Sequence, residues 1–191
     1  VLVGAAELID WNRRMKGKGI STKDTEIEWR ELMAFKKTFT EPVHKNRENA
    51  YAKAGIAMFH GRAHFLDKTT VKIGDDTLTG RYVHIAAGAK PADLGIQGEE
   101  YLTTSTQFLD MEKLPERIVF VGGGYIAFEF AHIASQAGAQ IRILHRGARP
   151  LEGFDPDLVE SLVEATGEFG IDLKLNTTVE SVEKNGDQFV V

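Results

Sequence analysis

Cysteine is absent from the 191 residues. That excludes structural disulfides and thiolate metal sites within this stretch. An excess of basic charge is missing too: 23 Lys and Arg face 28 Asp and Glu, a net charge of -5. Nucleic acid is therefore not an expected partner. No apolar run approaches the length of a membrane span and no secretory signal is legible, so no membrane partner is expected. A chain without disulfides fits a cytoplasmic location. His44, His60, His64, His84, His132 and His145 show no metal-ligand spacing, and no metal site is expected. Ser, His and Asp occur without the surroundings of a nucleophile elbow. What remains is an ordinary globular composition, 42% hydrophobic.

Against that background one stretch carries chemistry. Ile118-Val119-Phe120-Val121 runs straight into Gly122-Gly123-Gly124, and Tyr125 to Gln136 then reads as a helix. A buried strand that turns sharply into a helix leaves backbone N–H groups and the positive end of the helix dipole open to a pyrophosphate. Gly122 permits the tight turn, Gly124 lets the phosphates approach the backbone, and Ala127 allows helix and strand to pack closely. A plain strand–helix turn would share the glycines. The apolar strand that follows, Ala139 to Leu144, favours dinucleotide binding.

Elsewhere the pattern alternates between helix and strand periods. Val1 to Met15 is helical, with Val1, Leu2, Ala5, Leu8 and Ile9 as its apolar face. Arg13, Arg14, Lys16 and Lys18 sit near its negative end and read as a solvated terminus rather than a phosphate site. Ser21 to Asp24 is expected to cap a second helix, with Ile27, Trp29, Leu32, Met33 and Phe39 on its stripe and Pro42 interrupting it. Strands are expected at Ile56 to His60, Ala63 to Leu66, and Tyr82 to Ala87. Gly74-Asp75-Asp76 marks a hairpin. Pro91 to Thr106 reads as a linker, and Phe108 to Leu114 as a short helix at most. After the glycine turn come the helix Asp155 to Glu168, the strand Ile171 to Leu175, and a meander of Val179 to Val182 and Gln188 to Val191 around Asn185-Gly186. The fold class expected is α/β.

The order of motifs is more telling than any one of them. A strand ends in Ile85-Ala86-Ala87-Gly88-Ala89-Lys90-Pro91. The loop Leu94-Gly95-Ile96-Gln97-Gly98-Glu99-Glu100 follows, and then Leu114 to Glu129 with its glycine turn. This resembles the FAD-dependent pyridine nucleotide–disulfide oxidoreductases, and most closely a glutathione-reductase-like member, over essentially the whole chain. One departure is Ala87, where the family commonly has threonine. The resemblance implies an incomplete FAD-binding segment over residues 1–112 and a C-terminally incomplete, Rossmann-like NAD(P)-binding domain over residues 113–191. It implies a flavoprotein passing hydride from NADPH through FAD to a small-molecule or protein disulfide, and a homodimer in the full-length protein. Both chain ends read as cuts through folded structure. The expectation is an inner fragment, inactive alone, whose redox cysteines precede Val1. The alternatives are a cysteine-free NAD(P)H oxidase relative and a non-catalytic dinucleotide-binding or redox-sensing module.

Carried onto matching positions, the resemblance assigns roles. Gly123 and Ile126 should touch NAD(P) through their backbone. Tyr125 resembles the ring that covers the nicotinamide side of the flavin, and Glu129 the carboxylate that orients the carboxamide. An NAD enzyme places an acid after the second strand. Here Leu144 is followed by His145-Arg146-Gly147-Ala148-Arg149, with no acid. Arg146 falls where NADPH-dependent members place an arginine, whose guanidinium can grip a 2′-phosphate with two parallel bonds. Glu152 occupies the second such position, and Arg149 is expected to substitute for it. NADPH is therefore expected over NADH. On the FAD side, Arg62 and Ala63 should lie at the adenine edge, and Ala87 and Gly88 close to the flavin nucleotide.

Overall fold

The computed structural model describes residues 1–21 and 25–191. The capping stretch expected at Ser21 to Asp24 falls mostly outside them. The chain packs as two compact units, Val1–Lys37 together with Pro91–Val191, and Thr38–Lys90.

The larger unit is built on a parallel sheet of β4 (Arg117–Val121), β5 (Gln140–Leu144) and β6 (Asp172–Lys174), in the order β4-β5-β6. Parallel neighbours need a crossover, and helices supply it. α5 (Tyr125–Gln136) connects β4 to β5, and α6 (Pro156–Glu168) connects β5 to β6. The register pairs Ile118 with Ile141 and Phe120 with Ile143. α5 buries Phe128, Ala131, Ile133 and Ala134, while Ile141, Ile143, Val159 and Ile171 complete the centre of the core. α5 stops because Gly138 takes φ +93, where a glycine carries no Cβ penalty. α6 starts at Asp155, whose carboxylate accepts from the N–H groups of Asp157 and Leu158.

α1 (Leu2–Met15) and the start of α2 (Trp29–Thr40) belong to this unit as well. Trp29 is buried against Phe108, which stacks on Phe130 at 4.4 Å between ring centroids. The indole N–H donates to the Met111 carbonyl at 2.8 Å, so the ring's one polar atom is satisfied inside the core. Of the apolar face expected on α1, Leu2 is buried, but Leu8 is 61% exposed. The stripe expected on the second helix is partly right: Trp29 and Met33 are buried, and Phe39 is exposed. The chain breaks where Pro42 stands, and α3 (Val43–Lys53) continues beyond it.

The smaller unit holds the antiparallel sheet β1 (Ala63–Phe65), β2 (Thr70–Ile73) and β3 (Asp76–Thr79). Gly74 sits at φ +58 in the two-residue turn between Ile73 and Asp76, the hairpin that its sequence announces. Two expectations fail here. Ile56 to His60 and Tyr82 to Ala87 form no strand, and Tyr82 and Ile85 are 83% and 71% exposed. Both have the composition of buried strands. A strand also needs a ladder to satisfy its backbone, and among the described residues no neighbouring strand pairs with either segment. At the other end of the chain the expected meander is a hairpin shifted along the sequence, β7 (Glu183–Asn185) with β8 (Gln188–Val190). The short helix near Phe108 is α4 (Ser105–Leu109), which starts earlier than expected because Thr104 and Gln107 form a capping box.

A buried polar contact ties α5 to α6. The Thr166 hydroxyl, fully buried, donates to the Leu162 carbonyl at 2.7 Å, so it must accept from His132 Nε2, 3.0 Å away. Burial holds the His132 imidazole below the ordinary pKa of 6.5. The unfolded chain then takes up a proton that the folded chain refuses as pH falls below 6.5. This contribution to stability is complete above that value and is lost progressively beneath it. Asp67 and Asp172, held below 3.8, act only in a more acidic range. The thermal midpoint should therefore drop between about pH 7 and pH 5. His132→Gln should flatten that drop, and an unchanged slope in the variant would contradict the assignment.

Candidate functional site

The glycine turn lies at the C-terminal end of the parallel sheet, the end where open α/β sheets bind ligands. Gly122 has φ +104, a conformation that a side chain would strain, and its N–H extends the ladder to the Leu144 carbonyl at 2.8 Å. Gly124 is exposed, and a Cβ built there would meet nothing within 4 Å. It stands at the N-cap of α5, and no side chain caps that helix. α4 and α6 are both capped by side chains, Thr104 and Asp155. The first intrahelical bond made by the Gly124 carbonyl comes from the Phe128 N–H. The N–H groups of the first turn, Ile126 among them, thus lack intrahelical partners and face an open approach. This is the geometry of an anion cradle.

Gly123 is different. It is buried, its N–H donates to His145 Nδ1 at 3.1 Å, and its carbonyl accepts from the Leu151 N–H at 2.9 Å. The backbone donor expected from Gly123 is thus engaged within the chain, and the open donors belong to the start of α5. A Cβ at Gly123 would lie 2.8 Å from His145 Cγ and 3.0 Å from Pro150 Cβ. Neither is a flexible side-chain tip, so Gly123→Ala should destabilise the chain by about 1–3 kcal/mol. In a His145→Ala background part of that cost should vanish, because the two nearest atoms belong to the His145 ring while the Pro150 contact remains. Denaturant unfolding of the four members of this cycle checks it, and equal costs in both backgrounds would contradict it.

The loop after β5 faces this turn. Its backbone is tied on the other side to the end of β6 and the segment after it: the His145 N–H donates to the Lys174 carbonyl at 2.8 Å, and the Asn176 N–H to the Gly147 carbonyl at 3.0 Å. Arg146 is exposed, and no hydrogen bond or ion pair engages it among the described residues. Arg149 is half-buried, and its guanidinium donates to the carbonyls of Glu152 at 3.1 Å and Phe154 at 3.3 Å. Arg149 therefore braces the loop rather than reaching out as a substitute phosphate ligand. A Cβ on Gly147 would come within 2.8 Å of Glu152 Oε1, which places that carboxylate over the loop.

Tyr125, 59% exposed, opens α5, and exposed Glu129 follows one turn later on the same helix face. Of the residues expected at the flavin, Ala63 opens β1 and Arg62 precedes it, while Ala87 and Gly88 lie in an irregular exposed segment of the same unit, with Gly88 at φ +74. No hydrogen bond joins the two pairs among the described residues. Among those residues no group of three or more His, Asp or Glu could hold a metal ion. Among the described residues no helix is long and apolar enough to cross a membrane. Sequence reasoning missed His145. The available signal was an imidazole at the strand end where an acid is the usual sign of NAD.

Comparison with known proteins agrees with this geometry. Residues 8–191 match the family described as pyridine nucleotide-disulphide oxidoreductase. The chain is 33% identical over 168 residues to a glutathione reductase of Burkholderia cepacia, covering 88% of the chain and 37% of that protein. It is 30% identical over 189 residues to a mercuric reductase of Lysinibacillus sphaericus, covering 97% and 35%. It is also 30% identical over 202 residues to a trypanothione reductase of Leishmania donovani, covering 98% and 41%. The chain thus spans about two fifths of the length of these relatives. Among solved structures, the HOCl-induced flavoprotein disulfide reductase RclA from Escherichia coli superposes with a TM-score of 0.76 at 21% identity, over 97% of this chain and 41% of that one. Its Cu(II) complex gives 0.79 at 22%, with the same coverage. At that identity the likeness speaks for the fold.

Proposed function

The chain belongs to the pyridine nucleotide-disulphide oxidoreductase family, and from that premise we propose that it forms the nucleotide-binding part of a flavoprotein oxidoreductase using NADPH and FAD to reduce a disulfide. The observation that carries the reading is the uncapped start of α5 beside an exposed Arg146. NADPH and FAD, when bound, supply the hydride chemistry, and the protein contributes placement and charge. The residues present fit a dinucleotide at the glycine turn, because Gly124 leaves open the space that a side chain would occupy.

Each residue then has one task. The N–H groups at the start of α5, including Ile126, donate to the pyrophosphate, and the helix dipole adds to the attraction. Arg146 pairs with the 2′-phosphate through charge-assisted bonds. Glu152, a carboxylate over the same loop, opposes that phosphate and makes the selectivity smaller than two arginines would. Tyr125 would be the ring at the nicotinamide's entrance, and Glu129 the carboxylate that would accept from the carboxamide. Arg62, Ala63, Ala87 and Gly88 are the proposed flavin contacts. The full-length protein is proposed to be a homodimer, with a cytoplasmic location.

The absence of cysteine gives a second reading some standing, that of an NAD(P)H oxidase without a redox disulfide. One experiment separates the two. In protein carrying the complete FAD domain, anaerobic NADPH should bleach the flavin, and a disulfide should restore its colour. Restoration by oxygen alone would favour the oxidase, and no bleaching by NADPH would overturn the proposal.

A further inference from the structure

We propose that His145 is a positioning residue for the nucleotide site: its neutral imidazole, held as one tautomer, latches the loop that carries Arg146 onto the glycine turn. The proposal rests on the nucleotide reading above. It goes further by assigning a task to a residue outside the phosphate and nicotinamide contacts.

What each neighbour can do fixes the state of the ring. A backbone N–H can only donate and a backbone carbonyl can only accept. The Gly123 N–H points at His145 Nδ1 from 3.1 Å, so Nδ1 must be unprotonated. The Arg149 carbonyl lies 2.9 Å from Nε2, so Nε2 must carry the proton. The two bonds define the Nε2–H tautomer of a neutral ring. An imidazolium would set two donors against each other at Gly123. A carboxylate at this position would set two acceptors against each other at Arg149. Among ionisable side chains, neutral imidazole alone presents an acceptor and a donor on opposite sides of one rigid body.

The latch spans three chain segments. The backbone of His145 is anchored on the β6 side, donating to the Lys174 carbonyl at 2.8 Å and accepting from the Thr177 N–H at 2.9 Å. Its ring reaches the opposite way to the turn after β4. It holds the loop 146–149 at the same time through Arg149, whose guanidinium braces the loop from below. The close fit continues at Gly147, where a Cβ would come within 2.8 Å of both His145 Nε2 and Glu152 Oε1. Arg146 thus projects from a loop fixed on both flanks, while the Gly123 amide is withdrawn and leaves the start of α5 as the anion cradle. Fixing the loop before the ligand arrives removes an ordering cost from binding.

The test uses the chain itself with two variants. Nitrogen-15 spectra of the His145 ring should show the Nε2–H tautomer at neutral pH. His145→Leu, which keeps bulk and removes both bonds, should speed amide exchange at Gly123 and weaken NADP⁺ binding about fivefold or more. His145→Asn, which keeps an acceptor near Gly123, should recover slow exchange and bind NADP⁺ within about twofold of the parent chain. An Nδ1–H tautomer, an imidazolium at neutral pH, or a leucine variant with unchanged exchange and affinity would overturn the proposal. If leucine unfolds the chain, the tautomer and the asparagine variant decide. If the parent chain binds neither NADP⁺ nor NAD⁺, the nucleotide reading falls, and the positioning role falls with it even where the tautomer is as drawn.

Discussion

Replacing Arg146 with alanine is expected to weaken NADPH binding by about 10- to 100-fold and NADH binding by less than about threefold. The asymmetry is the point. The two nucleotides share their pyrophosphate and nicotinamide, so anything that damages the cradle or the fold lowers both together. They differ by a 2′-phosphate, and the Arg146 guanidinium on the loop after β5 is the group proposed to read it. Arg146 is exposed and makes no other bond among the described residues, so its removal should leave the thermal midpoint where it was. Arg149→Ala should behave in the opposite way. Its guanidinium spends two bonds on the Glu152 and Phe154 carbonyls, so its loss should loosen the loop and weaken both nucleotides. Equilibrium titrations of both variants with both nucleotides check the contrast. Equal losses for NADPH and NADH in Arg146→Ala would end its role as the selector.

Gly98→Ala is expected to be the most damaging single methyl in the chain. Gly98 holds φ +78, where a side chain is strained, and its Cβ would fall well inside contact distance of the Val182 carbonyl oxygen. The backbone there cannot step aside cheaply. The Val182 N–H donates to the Gln97 carbonyl at 2.8 Å, Gln97 and Ser181 form a parallel bridge, and Val182 is buried. The Tyr101 N–H also donates back to the Gly98 carbonyl at 3.0 Å, closing the single 3-10 turn Glu99–Tyr101. Strain and clash together should cost about 3–5 kcal/mol, at the upper end for point substitutions. Denaturant unfolding measures it, and a loss under about 1 kcal/mol would show that the crossing of these two segments is looser than described.

These two residues also mark how far the sequence could be read. The strand, glycine turn and helix from Ile118 to Gln136 were legible to within one residue, the strand beginning at Arg117, because short-range periodicity and glycine chemistry settle them locally. Gly74 and Pro42 announced a turn and a break for the same reason. Gly98 showed only as part of a motif-bearing loop, since the carbonyl that crowds it comes from position 182. The Gly123–His145 bond joins residues 22 apart, and no pattern within either segment encodes it. Tyr82 to Ala87 failed in the opposite direction. Its composition says strand, but pairing is a property of neighbours, and no described strand lies beside it. The division of labour between the arginines was likewise out of reach, because Arg146 and Arg149 differ only in which carbonyls the folded loop presents to them.

The proposed pyridine-nucleotide site joins the start of α5 to Arg146, which reads the 2′-phosphate. Equilibrium titration of the chain with NADPH and with NADH at one low salt concentration tests it most directly. NADPH should bind about tenfold tighter than NADH, and adenosine 2′-phosphate should compete for the same site. NADH binding as tightly as NADPH, or binding of neither, would contradict it.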